Sequence, residues 1–129
     1  MKKIFVLITL VCCLILNPNF CSAKDVWVYN YSNGNSLYIV YESVVYGIRT
    51  GFYAKVSVKY ATPNGTLIKN ERLEFNHDEG DWWYGKVDVS GDSRRVYDYA
   101  DATEVLNWLK EHKSEAHRTS RPYEMVLGD

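Results

Sequence analysis

Residues 52–60 read FYAKVSVKY and carry the clearest structural pattern in the chain. Apolar or aromatic residues stand at every second position, from Phe52 through Val56 to Tyr60, and polar residues such as Lys55 stand between them. This period of two predicts a β-strand with one face in the core and the other in water. The buried face of such a sheet needs a second layer to cover it.

Further strands are predicted on both sides of this segment, and turn sequences separate them. Asn33-Gly34 and Pro63-Asn64-Gly65 are typical of tight reversals, because Asn and Gly accept a positive φ and Pro presets its own φ. Connections this short indicate antiparallel pairing, since parallel pairs need long crossovers. The predicted strands are 26–31, 37–46, 52–60, 66–76 and 82–89.

The pattern changes from strand to helix after Tyr99. Asp101 stands three residues before Glu104, as in a capping box, and apolar residues follow at helical spacing. The apolar positions are Ala102, Val105, Leu106 and Leu109. We therefore predict a helix over 101–113 and an α+β fold, an antiparallel β-meander of about five strands with one C-terminal helix packed on one face.

Domain boundaries follow from these elements. Residues 24–113 are predicted to form a single α+β domain, since about 100 residues support one core. Residues 114–129 lack periodicity and are predicted to be a polar, loose tail, with a short edge strand from Tyr123 to Leu127 as the alternative.

The first 23 residues resemble a bacterial export signal. Met1-Lys2-Lys3 is a charged start, 4–16 is apolar, and Cys21-Ser22-Ala23 has small residues at a cleavage site. We predict a signal peptide over 1–23 and export to the periplasm, cell surface or medium. The alternative is a lipoprotein anchored through Cys21, although Pro18-Asn19-Phe20 is a poor sequence before an acylated cysteine.

Removal of the signal changes the composition. All three cysteines are lost, and 13 Lys and Arg remain against 16 Asp and Glu, a net charge of −3. Thiol nucleophiles, thiolate metal sites and disulfides are excluded in the mature chain. Nucleic acid is not predicted as a partner, because no basic stripe is present. No transmembrane helix is predicted in the mature chain, since no apolar run approaches about 20 residues.

No catalytic site, metal site or cofactor is predicted. The acidic loop 77–81 does not follow the EF-hand pattern, and a solvated turn is the better interpretation. The histidines lack zinc-site spacing; they are His77, His112 and His117. A small cell-wall hydrolase with paired carboxylates stays an alternative. Its candidate acids are Glu42, Glu71, Glu74, Asp78 and Asp81.

Aromatic residues are the most distinctive chemistry of the mature chain, where they number 17 of 106. Tyr and Trp bury area at small entropy cost and keep a hydrogen-bonding group, so they suit protein and sugar interfaces. The alternative is that most of these rings fill the core. Trp27, Tyr29 and Tyr31 are predicted to share one face of the first strand. The candidate binding surface consists of Trp27, Tyr29, Tyr31, Tyr53 and Trp83.

The order of features from about residue 26 to residue 88 resembles the bacterial surface-adhesin E-like proteins. The resemblance is carried by Val26-Trp27-Val28-Tyr29, Leu37 to Val44, Lys55 to Tyr60 and Arg72-Leu73-Glu74-Phe75. It implies an antiparallel sheet with a C-terminal helix and a role in binding host matrix or serum proteins. This chain departs from the family pattern in having Asn76-His77 where the family has cysteines.

The function predicted from the sequence is therefore that of an exported, non-catalytic binding or envelope-associated protein, which is adhesin-like. A small cell-wall-acting hydrolase and a sugar-binding module are the alternatives. The predicted partner is a protein or glycan at the cell surface.

Overall fold

The computed structural model describes residues 24–48 and 50–128, so the predicted signal peptide lies outside the described residues. Within them, an antiparallel sheet and one α-helix form the fold, which confirms the α+β prediction. The sheet has nine strands among these residues, more than the five or so predicted. They are β1 (Asp25–Asn30), β2 (Ser36–Val40), β3 (Val45–Gly47), β4 (Tyr53–Ala61), β5 (Leu67–Asp78), β6 (Asp81–Lys86), β7 (Arg94–Arg95), β8 (His117–Arg118) and β9 (Glu124–Val126).

Strand β4 lies at the centre of the sheet and follows the predicted alternation. Ala54, Val56 and Val58 are fully buried, whereas Tyr53 and Lys55 on the other face are only half-buried. β4 pairs with β5 on one side and with both β2 and β3 on the other. The strict period of two therefore gives the sheet one covered face and one open face.

The helix α1 (Ala100–His112) covers one face of the sheet. The four apolar positions predicted from its periodicity are all buried, and each buried leucine contributes about 2–3 kcal/mol. The predicted capping box is wrong, because Tyr99 is the N-cap and makes no side-chain cap hydrogen bond. Asp101 instead accepts a hydrogen bond from the Tyr31 hydroxyl at 2.9 Å, which ties the helix to the end of β1. In the described part of the chain, no helix combines the length and apolar character needed to cross a bilayer.

The predicted second strand is broken by a 3₁₀ turn at Tyr41–Ser43. The Ser43 hydroxyl donates to the Val40 carbonyl at 2.6 Å and accepts from the Ser57 amide at 2.8 Å, so the turn is held against β4. Because of this break, β1 pairs with β2 while β9 pairs with β3.

The C-terminal segment is part of the sheet, so the prediction of a loose tail over 114–129 is wrong there. Strand β9 lies between β3 and β8, and Leu127 is buried in the core. A short strand does form within Tyr123 to Leu127, as in the alternative, but it pairs on both sides and is not an edge strand. Local sequence could not settle this, because β9 depends on a partner strand about 80 residues earlier in the chain.

Candidate functional site

A β-bulge in β1 separates aromatic residues that were predicted to share one face. Trp27 pairs with Tyr38, but Tyr29 pairs with Leu37, so β1 has one extra residue between the two pairs. Trp27 therefore lies on the open face, and Tyr29 packs against the core on the helix side. Tyr31 also packs against the core. The prediction that these three rings share a face is wrong, because the bulge reverses the alternation.

On the open face, Tyr53 and Trp83 are brought together and Trp27 is not. Tyr53 pairs with Asn76, and Asn76 pairs with Trp83, so the three residues form a row across β4, β5 and β6. We call Tyr53, Asn76 and Trp83 the aromatic row. Trp27 lies instead in the row that contains Lys59. Lys59 is six residues beyond Tyr53 on β4, so the two rows are ~20 Å apart along the strand. Trp27 is 53% exposed.

The two rings of the aromatic row are held by polar contacts. The Tyr53 hydroxyl donates to Glu74 Oε2 at 2.8 Å, and Trp83 Nε1 donates to the Asp78 carbonyl at 3.2 Å. The Arg95 guanidinium lies 5.8 Å from the centre of the Trp83 ring, within the range of a cation–π contact. Both rings are therefore positioned before any partner binds.

Two grooves flank the aromatic row. The larger, of about 400 Å³, lies between β3, β4 and the turn before β9, and Tyr53, Lys55 and Tyr123 line it. The smaller, of about 210 Å³, lies beside Trp83 and Asn76. Tyr123 is 76% exposed, and sequence reasoning missed it as a site residue because the segment around it was predicted to be loose. Its position beside Pro122, where a ring is presented on a turn, was the available signal.

A cleft of about 360 Å³ lies on the helix side, between the ends of β4 to β6 and the first turn of α1. Tyr60 and Glu71 line it, and the Tyr60 hydroxyl donates to Glu71 Oε2 at 3.2 Å. The Tyr31 and Tyr60 rings are 6.1 Å apart. The predicted site residue Tyr31 therefore supports this cleft and not the open face.

The cleft perturbs the ionisation of its residues. Burial raises the pKa of Tyr31 and of Tyr60. The Asp101 carboxylate raises both further, and the Glu71 carboxylate also raises the pKa of Tyr60. Burial alone would raise the pKa of Glu71, but hydrogen bonds and charges from Lys69, Tyr60 and Lys86 outweigh it and lower that pKa. Glu71 is therefore held ionised, which is the opposite of what a general acid requires.

The other candidate acids do not converge on one site. Glu42 is exposed, and Glu74 is occupied by the Tyr53 hydroxyl. Asp78 and Asp81 pair across the two-residue turn at Glu79-Gly80, where both φ angles are positive. The acidic loop is thus a tight hairpin turn. No group of three or more His, Cys, Asp or Glu side chains in the described part of the chain is arranged to hold a metal ion.

Comparison of the chain with protein-family models, curated proteins and solved structures gives no match. The resemblance to the surface-adhesin E-like proteins stays a prediction. The open face and the cleft are therefore the two regions from which we infer function.

Proposed function

We propose that this chain is an exported bacterial, non-catalytic binding protein, and that the open face of its sheet contacts the partner. The observation that carries the proposal is the aromatic row, which lies between two grooves on the face opposite α1. Tyr and Trp rings held in place bury apolar area at small entropic cost and keep polar atoms for hydrogen bonding.

A protein partner suits this surface. The aromatic row is surrounded by charges of both signs, among them Lys55, Glu74 and Arg95, which is the pattern of a polar rim around aromatic anchors. The partner that we propose to test first is a host matrix or serum protein, the role that the adhesin E-like resemblance implies.

Surface plasmon resonance on immobilised matrix and serum proteins tests this proposal. We expect saturable binding, and we expect Trp83→Ala and Tyr53→Ala each to weaken it about tenfold or more, as for anchor residues at an interface centre. Tyr97→Ala is the matched control, because Tyr97 is 53% exposed and lies in the turn before α1. Equal losses of binding affinity in all three variants would contradict the proposal, and so would an absence of binding to every protein tested.

Export is tested separately by mass spectrometry of the processed protein from a bacterial host. Cleavage after Ala23 gives an N-terminus at Lys24, whereas a diacylglyceryl group on Cys21 would identify a lipoprotein. Retention of Met1 in the cytoplasm would contradict export.

A further inference from the structure

The cleft beside the first turn of α1 has a wall that only glycine permits. A Cβ atom on Gly85 would lie 1.7 Å from the Asp92 carbonyl oxygen, so the loop after β6 closes directly onto the β6 backbone. The Lys86 amide donates to Asp92 Oδ2 at 2.7 Å and holds that loop in place. The cleft is therefore a built feature of the fold, assembled from separate segments of the chain.

Three cations and three carboxylates line the cleft, so its charges balance; the cations are Lys69, Lys86 and Arg94, and the carboxylates are Glu71, Asp92 and Asp101. Glu71 Oε1 lies 3.3 Å from Lys69 Nζ and 3.4 Å from Lys86 Nζ, and Asp92 Oδ1 lies 3.5 Å from the Arg94 guanidinium. Each of the three cations is thus paired with a carboxylate. A ligand with a net charge would have to disrupt one of these pairs, and an apolar ligand would desolvate them without replacing their hydrogen bonds.

Aromatic rings form the remaining wall. The Tyr84 ring stacks on Phe75 with centroids 5.6 Å apart, and the Tyr99 ring meets Tyr84 edge-on at 5.8 Å. Tyr99 is 42% exposed, so part of its surface is open to a ligand. The cleft therefore combines a supported aromatic ring with a balanced set of donors and acceptors.

We propose that this cleft binds a neutral mono- or disaccharide, with a sugar ring packed on Tyr99. Each sugar hydroxyl both donates and accepts, so it can donate to Glu71 or Asp92 while it accepts from Lys86. The volume of about 360 Å³ is at the lower end of the about 300–1,000 Å³ typical of small-molecule sites, which suits a ligand of this size. This site is distinct from the open face and does not depend on the partner proposed for it.

Titration of the ¹⁵N-labelled protein with cellobiose and N,N′-diacetylchitobiose, followed by NMR, tests the proposal. We expect saturable shifts in the amides around Gly85 and Tyr99 for at least one of the two. Glucuronic acid, glucosamine and glycine test anionic, cationic and zwitterionic ligands, and each should bind at least tenfold more weakly. Equal or tighter binding of any of these three, or no shift with either neutral sugar at 50 mM, would overturn the proposal.

Matched variants locate the site. Tyr99→Ala should weaken sugar binding at least tenfold, whereas Tyr97→Ala, two residues away and outside the cleft, should leave it unchanged. Trp83→Ala on the open face should also leave it unchanged, which separates this proposal from the proposed function. Should Tyr99→Ala lose its native spectrum, Glu71→Gln replaces it, with the same expected loss. Unchanged affinity in the folded cleft variant would place the sugar elsewhere and overturn the assignment.

Discussion

The two faces of the sheet come from the same strands but lie in opposite environments, one covered by the core and one open. On β5, Phe75 is fully buried against the core, while the next residue, Asn76, lies in the aromatic row of the open face. Truncation on the covered face removes packing that holds the fold together, whereas truncation on the open face removes atoms that a partner would contact. Stability and binding are therefore expected to separate residue by residue along one strand.

The largest expected effect is that of Phe75→Ala. The side chain is fully buried and stacks on Tyr84, so its removal leaves a cavity and should lower the free energy of unfolding by about 3–5 kcal/mol. Urea denaturation measures this loss.

Asn76→Ala is the control, because the residue is adjacent in sequence but points to the other face. We expect its free energy of unfolding to change by no more than about 0.5 kcal/mol. Similar losses of stability at both positions would show that the two faces are not energetically distinct.

The second expected effect is a loss of stability at high pH, which comes from buried tyrosines on the covered face. Burial raises the pKa of Tyr31, Tyr46 and Tyr60, while a phenol in the unfolded chain ionises near pH ~10. Above that pH the unfolded chain has lost protons that the folded protein keeps, so the free energy of unfolding falls as pH rises. The stabilisation is fully present below pH ~10 and is lost above it.

Urea denaturation at pH 8, 10 and 11 checks this expectation. Tyr46→Phe removes one of the three groups and should make the decline with pH shallower. The Tyr46 hydroxyl donates to the buried Leu109 carbonyl at 2.6 Å, so the variant is also expected to be about 1 kcal/mol less stable at pH 8. A free energy of unfolding that stays constant from pH 8 to pH 11 would contradict the raised pKa values of these tyrosines.

The smallest expected effect is that of Trp27→Ala. The ring is mostly in solvent, and its Nε1 donates to the exposed Asn30 Oδ1 at 2.8 Å, so stability should change by no more than about 0.5 kcal/mol. Trp82→Ala is the contrasting variant, because Trp82 packs on Phe52 at 5.4 Å with the Lys110 ammonium 4.6 Å from its ring. Thermal unfolding of both variants compares their stabilities. A larger loss of stability for Trp27→Ala than for Trp82→Ala would contradict the placement of Trp27 on the open face and of Trp82 on the covered face.

Much of the fold was predictable because its signals are local. The alternation of β4, the Asn33-Gly34 turn and the apolar positions of α1 each follow from residues that are neighbours in sequence. Trp82 and Trp83, which are adjacent on β6, lie on opposite faces, as the same period of two requires. Such patterns depend on backbone geometry alone and so can be recognised without tertiary contacts.

The candidate sites were less predictable, because they depend on register and on long-range contacts. The bulge in β1 reverses Tyr29 relative to Trp27, and it is defined only by pairing with β2. In the cleft, Glu71 lies on β5 and Tyr99 precedes the helix, so no sequence spacing relates them.

Local sequence patterns are enough to predict the class of the fold, the position of the helix and the division of β4 into a buried and a wetted side. These properties follow from periodicity and turn chemistry, which act over a few residues. Three further properties depend on tertiary contacts: Tyr53 and Trp83 share a row, Tyr31 supports the cleft, and the C-terminal segment joins the sheet. Those outcomes depend on which strands pair and in which register, and the pairing is selected by burial of the whole core.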